Sequence, residues 1–300
     1  MKYPLKVIIF NVEHGFCGFI KCPNGHTVLI DCGKAESFSP VKYILDSELA
    51  DTVLHNGYKL TEFILTHPHD DHLEDIARLR SDFPPAILRR ESRYNWESLK
   101  VSNREEYENL DIYSEWQAGY QYPVTDPPDW GIEIIDNFKL SPQEAYEINK
   151  DNYVNNSSIP VIIRFKGTQY EEKILFGGDL MKEGWAELLR NEAFADNLRD
   201  INFFIASHHG HSSGYCKEVF DAMGSPPILN IISAHRRDES VESAYSSLSL
   251  GTNVNGQERH MLSTRNDGSI ILEIDSEGKY SVTTGNFPDN IGSLGYWPRY

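Results

Sequence analysis

The chain has 300 residues, 45 of them Asp or Glu against 28 Lys or Arg, for a formal net charge of −17. This balance excludes a broad basic face of the kind that grips a nucleic-acid backbone; any such face has to be local. With 40% hydrophobic residues the chain can bury a large core, yet no apolar stretch is long enough to span a bilayer.

Length alone admits two domains, but layered α/β folds of this size often form one, and a single domain over 1–300 is expected. Residues 5–12 read as a first strand rather than a signal peptide, because the apolar run is short and lacks a small-residue cleavage site. Strands follow at 19–20 and 27–30, with Pro23-Asn24-Gly25 as the hairpin turn between them. A strand at 62–65 delivers the run Thr66-His67-Pro68-His69-Asp70-Asp71-His72. A helix is expected over 71–83, stopped by Pro84-Pro85.

Residues 89–130 break the pattern. They are polar, rich in Tyr and Trp, and end in Asp126-Pro127-Pro128, which reads as a helical and loop insertion. Its aromatics either form a lid that stacks on substrate or pack on themselves as a satellite cluster; the second is favoured, since aromatics form cores first. The basic residues Arg89, Arg90, Arg93, Lys100, Arg104, Arg236 and Arg237 are interleaved with acidic neighbours and read as a mixed-charge surface.

Strands at 160–165 and 173–176 turn through Lys166-Gly167-Thr168. A helix over 183–198 would bury Trp185, Leu188, Leu189 and Phe194. A strand at 201–206, a helix at 217–223, a strand at 228–233 and a hairpin of 269–274 with 279–284 complete the chain. The tail Tyr296-Trp297-Pro298-Arg299-Tyr300 is read as docking on its own domain. Cys17, Cys22, Cys32 and Cys216 lack zinc-type pair spacing and read as reduced, buried thiols, which points to the cytoplasm.

The run from His67 to His72 holds three imidazoles and two carboxylates within six residues. One histidine at a strand end is usually a hydrogen-bonded core residue, but His-x-His-x-Asp-His is too dense for packing alone. His67 and His69 stand two apart on extended chain and point the same way. Asp71 and His72 follow as the chain turns and can face a second ion. Imidazole with carboxylate suits zinc, manganese or iron, and two such ions activate water and stabilise a leaving oxygen. Three further strands end in polar groups: Asp31 after 28–30, Gly177-Gly178-Asp179 after 174–176, and Ser207-His208-His209-Gly210-His211 after 205–206. Such ends converge on one edge of a sheet in α/β proteins.

This order of motifs resembles the metallo-β-lactamase fold hydrolases. Within them it is most similar to the hydrolase domain of ComEC-type competence proteins and their soluble relatives. The resemblance rests on Asn11-Val12-Glu13-His14-Gly15, Ile30-Asp31-Cys32-Gly33, Leu140-Ser141-Pro142, Asn155-Asn156-Ser157-Ser158, Ser207 to Gly210 and Thr264-Arg265-Asn266-Asp267-Gly268. It spans nearly the whole chain except the insertion. It implies a four-layer αββα sandwich and a centre of two divalent ions, zinc or manganese. His67 and His69 would hold the first ion, Asp71, His72 and His209 the second, and Asp179 both. Asp71, His208 and Asn156 are the candidate catalytic groups: His208 handles a proton near the leaving oxygen, and Asn156, Ser157 or His14 neutralises charge on the substrate. Asp31 would orient ligands.

Many members carry one more histidine between the first motif and the bridging Asp; here none lies between His72 and His208. The first ion then has fewer protein ligands, which lowers its affinity, opens a position for substrate or favours manganese. The resemblance implies a phosphodiesterase or nuclease acting on single-stranded DNA or a nucleotide diester, without a membrane partner. Hydrolysis of a lactone, thioester or amide on the same centre, and a non-catalytic metal-stabilised interaction module, are the alternatives.

Overall fold

The computed structural model describes residues 3–97, 99, 108–234 and 241–285. Lys100, Arg104, Arg236, Arg237 and the tail from Tyr296 to Tyr300 lie outside them. The strands in chain order are β1 (Leu5–Ile9), β2 (Gly18–Lys21), β3 (Thr27–Ile30), β4 (Leu60–Ile64), β5 (Pro85–Arg89), β6 (Glu133–Ile135), β7 (Val161–Lys166), β8 (Glu171–Phe176), β9 (Phe203–Ile205), β10 (Leu229–Ile232), β11 (Thr252–Val254), β12 (Gln257–Arg259), β13 (Met261–Ser263), β14 (Ser269–Ile274) and β15 (Tyr280–Gly285).

Side chains alternate across a strand, and in the central strands β3, β4, β8, β9 and β10 both faces are buried, which demands a layer on either side. Val28 and Ile30 of β3, Ile174 and Phe176 of β8, and Phe203 and Ile205 of β9 enter one shared core, while their neighbours Leu29, Leu175 and Phe204 enter two others. One sheet runs β15-β14-β1-β2-β3-β4-β5 and the other β13-β10-β9-β8-β7-β6. They pack face to face through the shared core. Helices at Pro40–Leu45, Ile76–Asp82 and Glu108–Gln117 cover the first sheet; those at Pro142–Ile148, Lys182–Leu188, Glu192–Asn197 and Lys217–Met223 cover the second. The result is the expected αββα sandwich. No helix among the described residues is long and apolar enough to cross a membrane.

The strands β3, β4 and β5 are parallel, as are β8, β9, β10 and β13. The carboxyl ends of β3 and β4 in one sheet therefore meet those of β8, β9 and β10 in the other. The expected convergence on one sheet edge is corrected: the site straddles both sheets.

Several elements differ from expectation. The helix over 71–83 is instead a 3-10 turn at Asp70–His72 followed by a helix at Ile76–Asp82. Pro85 opens an edge strand, a place where its missing N–H costs no ladder bond. The helix over 183–198 is two helices, because Asn191 Oδ1 accepts from the N–H groups of Ala193 and Phe194 and starts the second one. The described aromatics of 89–130 do pack on one another, Tyr94 with Trp96, Trp96 with Tyr113 and Trp116 with Tyr120, but as part of a larger core rather than a separate cluster. Tyr94, Leu110 and Tyr113 are buried with Leu29, Phe63 and Leu79 in the outer core of the first sheet, and Tyr122 is 90% exposed. Three basic side chains there are engaged locally: Arg89 with Glu62, Arg90 with Gln117 and the Tyr120 carbonyl, and Arg93 with Glu91.

Glu62 on β4 is 1% exposed, with Oε1 2.7 Å from Arg89 Nε and Oε2 lacking a hydrogen bond. Burial, only partly offset by Arg89, raises its pKa to about 7. Because the folded pKa lies above the unfolded one, the folded state binds the extra proton between them, so stability falls as pH rises from 4.5 through 7. Urea unfolding at pH 5 and pH 8 should show a loss on the order of 2–3 kcal/mol that Glu62→Gln does not share. Parallel pH dependences in the two proteins would refute this.

Candidate metal centre

Asp31 leaves β3 in the left-handed region, at φ 55°, with its carboxylate fully buried. It accepts hydrogen bonds of 2.7 Å from Thr66 N, from Thr66 Oγ1 and from His72 Nδ1. Burial pushes its pKa up, while His72 and the Thr66 donors pull it back. Donation from Nδ1 fixes the tautomer of His72 and turns Nε2 toward the cluster. That Nε2 is buried without a hydrogen bond, 3.4 Å from Asp179 Oδ1 and 3.6 Å from Asp71 Oδ2.

The chain past β4 is tied down at Thr66, whose carbonyl accepts from Ile159 N. His67 is buried and His69 half-buried, with His67 Nε2 3.0 Å from His69 Nδ1 and 3.7 Å from Asp179 Oδ2. The 3-10 turn then closes with His72 N donating to His69 O and Leu73 N to Asp70 O, which swings Asp71 and His72 to the same side.

The second sheet supplies the rest. After β8 the chain passes Gly178 at φ +54°, where a Cβ would lie 3.0 Å from Ser158 Cβ and 3.2 Å from Thr66 Cβ. Only glycine fits so close a crossing in that conformation. Asp179 N donates to Ser158 Oγ, placing the carboxylate between His67, His72 and His209. After β9, His208 and His209 are both left-handed, at φ 50° and 54°. Two consecutive non-glycine residues in that region are strained, as functional sites often are. His209 Nδ1 donates to Ser233 O at 3.1 Å; its Nε2, buried without a hydrogen bond, lies 3.2 Å from Asp71 Oδ2 and 3.5 Å from Asp179 Oδ2.

Three donor sets form among the described residues: His67, His69 and Asp179; His72, Asp179 and His209; and His14, Asp71 and His209. Within each, the ligand atoms lie within 4.8 Å of one another. Burial opposes protonation of His72 and His209, but Asp71 and Asp179 outweigh it, so His72 rises well above its ordinary value and His209 to about 10. His67 and His69 are lowered by burial, His67 also by the charge on His72. Burial would raise Asp71 and Asp179, yet the neighbouring imidazoles hold both below the usual carboxylate range. Two imidazoles thus turn Nε2 atoms that have no hydrogen bond toward buried carboxylates. The donor chemistry and these orphaned nitrogens fit divalent cations. The floor of the cluster is apolar, lined by Phe16, Ile30, Phe176 and Ile205.

The expected donors His67, His69, Asp71, His72, Asp179 and His209 are therefore brought together, with Asp31 behind His72. His208 stands beside them, half-buried and lowered by burial, with Nδ1 2.7 Å from Ser213 Oγ and Nε2 3.5 Å from Asn155 Nδ2. Asn156 is a correction. It is fully buried, and its Oδ1 accepts from Met181 N and Gly184 N, so its carboxamide starts the helix Lys182–Leu188 rather than facing substrate. Ser157 is likewise engaged, its hydroxyl 2.5 Å from that of Tyr94 and donating to Val154 O. Asn155 stands nearer His208, and its buried Oδ1 has no hydrogen bond. Ser233 was not singled out by sequence; its only signal is its place at the end of an apolar strand.

No protein-family model matches the chain, and no curated protein matches it. Solved structures do. The metallo-β-lactamase fold protein YhfI from Bacillus subtilis is similar over 94% of this chain and 100% of that one, at 11% identity and a TM-score of 0.47. A long form RNase Z from yeast is similar over 92% of this chain and 42% of that one, at 11% identity and a TM-score of 0.45. A metallo-β-lactamase with a HARLDQ motif from Cronobacter sakazakii is similar over 73% of this chain and 88% of that one, at 13% identity and a TM-score of 0.39. At such identities the likeness is to the fold and to nothing finer.

Proposed function

We propose that this chain is a metal-dependent hydrolase with a dinuclear centre, acting as a phosphodiesterase on DNA or a nucleotide diester. One observation carries the metal reading: His72 Nε2 and His209 Nε2 are buried without hydrogen bonds, both beside Asp179. In this reading His67, His69 and Asp179 hold one ion, and Asp71, His72, His209 and Asp179 the other. Bound there, two divalent ions supply an activated water and positive charge for a leaving oxygen. The protein orients them: Asp31 aims His72, Ser233 O aims His209, and the apolar floor limits water beneath. His208, held at Nδ1 by Ser213, presents Nε2 on the side of Asn155, where it can meet a proton or an anionic substrate oxygen.

The phosphodiester reading draws its support from the ComEC-type motif order and from the fit of an anionic diester to a cationic centre. The charge of −17 favours a short substrate over a long duplex. The test is metal analysis of the purified protein, followed by assay with zinc or manganese on an aryl phosphodiester, cyclic nucleotides, and single- and double-stranded oligonucleotides. Cleavage of at least one of these is expected. A protein that retains two ions and cleaves none of them, yet opens a lactone or thioester, would move the assignment to that chemistry.

A further inference from the structure

We propose that His14 is a ligand of the second ion, joining Asp71, His72 and His209. The proposal rests on the dinuclear reading above and adds a donor to it. His14 Nε2 lies 3.4 Å from Asp71 Oδ2, and its ring centroid is 5.0 Å from that of His209. The donor atoms of His14, Asp71 and His209 lie within 4.8 Å of one another, and the His209 Nε2 among them is the buried nitrogen without a hydrogen bond. The His14 side chain is 58% exposed, so it approaches the cluster from the solvent side while the other donors approach from within.

The loop carrying His14 is built against the cluster. Glu13 and Gly15, on either side of it, are left-handed at φ 64° and 95°. A Cβ on Gly15 would lie 2.0 Å from Asp71 O, so only glycine lets the loop approach Asp71 this closely. Phe16 N donates to Asp71 O at 3.4 Å, and Ser233 Oγ donates to Gly15 O at 2.8 Å. Ser233 thus steadies both imidazoles, His209 through its carbonyl and His14 through the loop.

The consequence is an asymmetric centre. The second ion would have His14, Asp71, His72, His209 and a share of Asp179, and the first only His67, His69 and its share of Asp179. Zinc is saturated by four or five donors, so open positions, and with them substrate and exchangeable metal, belong to the first ion.

The test is a zinc titration against a competing chelator on the metal-free wild type, His14→Ala, His14→Gln and His69→Ala. A parallel cobalt titration is followed by visible absorption, which reports coordination. The wild type should take up one ion tightly and one weakly. His14→Ala and His14→Gln should weaken the tight step by about 10- to 100-fold, alter the cobalt spectrum and leave the weak step in place, whereas His69→Ala should abolish the weak step. Unfolding midpoints of the metal-free wild type and the two His14 variants should match, because the His14 side chain is largely exposed. If the wild type binds two ions and His14→Ala superimposes on it in both titrations, the proposal falls and the dinuclear reading stands. If the wild type binds no ion, both fall.

Discussion

Asp179→Ala should empty the first metal position, weaken the second and reduce hydrolysis by roughly 10³-fold or more, the largest activity loss of any single change in this protein. Its carboxylate lies within 4 Å of three buried imidazoles, at 3.7 Å from His67, 3.4 Å from His72 and 3.5 Å from His209. Without it, each ion loses a donor and the cluster loses the negative charge that draws cations into a buried site. Asp179→Asn keeps the size and removes the charge, so it separates packing from electrostatics and should behave like the alanine variant. Metal content after dialysis and turnover of an aryl phosphodiester are the measurements. Two retained ions in Asp179→Ala would show that it holds neither.

Asp31→Ala should be the most destabilising change at the site, at about 3–5 kcal/mol in urea unfolding of the metal-free protein. The carboxylate is fully buried and satisfies Thr66 N, Thr66 Oγ1 and His72 Nδ1 at once. Its removal leaves those donors unpaired in the interior, and the charge raising His72 loses one of its sources. Asp31→Asn should cost less in stability, because asparagine tolerates the left-handed backbone and keeps an acceptor oxygen. Metal affinity should still fall by roughly 10- to 100-fold, since the hydrogen bond that aims His72 is weakened. A fully stable Asp31→Ala with wild-type affinity would remove Asp31 from the support of the site.

The strands were legible where apolar residues ran between turn signals. Residues 27–30 were read with the bounds the structure shows, and the hairpin of β14 and β15 with ends within a residue. The element that carries the metal motif was misread. A helix from 71 satisfies local propensity, but the chain there is claimed by tertiary bonds: Cys32 N donates to His72 O, and Asp75 N to Cys32 O. Those bonds hold a tight turn at Asp70–His72 and postpone the helix to Ile76. Asn156 was misread for a similar reason. A carboxamide beside a site motif looks available to substrate, and only the packing of a later helix shows that its oxygen is already spent.

The sequence by itself determined the donor types and their local clusters, because adjacent ligands on a strand end must be written next to one another in the chain. The pattern from His67 to His72, Asp179 after two glycines and the late His208-His209 pair are all of this kind. Only the tertiary structure decided that two sheets rather than one contribute, that His14 lies within reach of Asp71 and His209, and that Ser233 stands behind both. The bond from Ser233 to Gly15 joins residues 218 positions apart. Such a contact follows from how two sheets stack and where β1 and β10 end, and side-chain periodicity reports which face of a strand is buried but not what it is buried against.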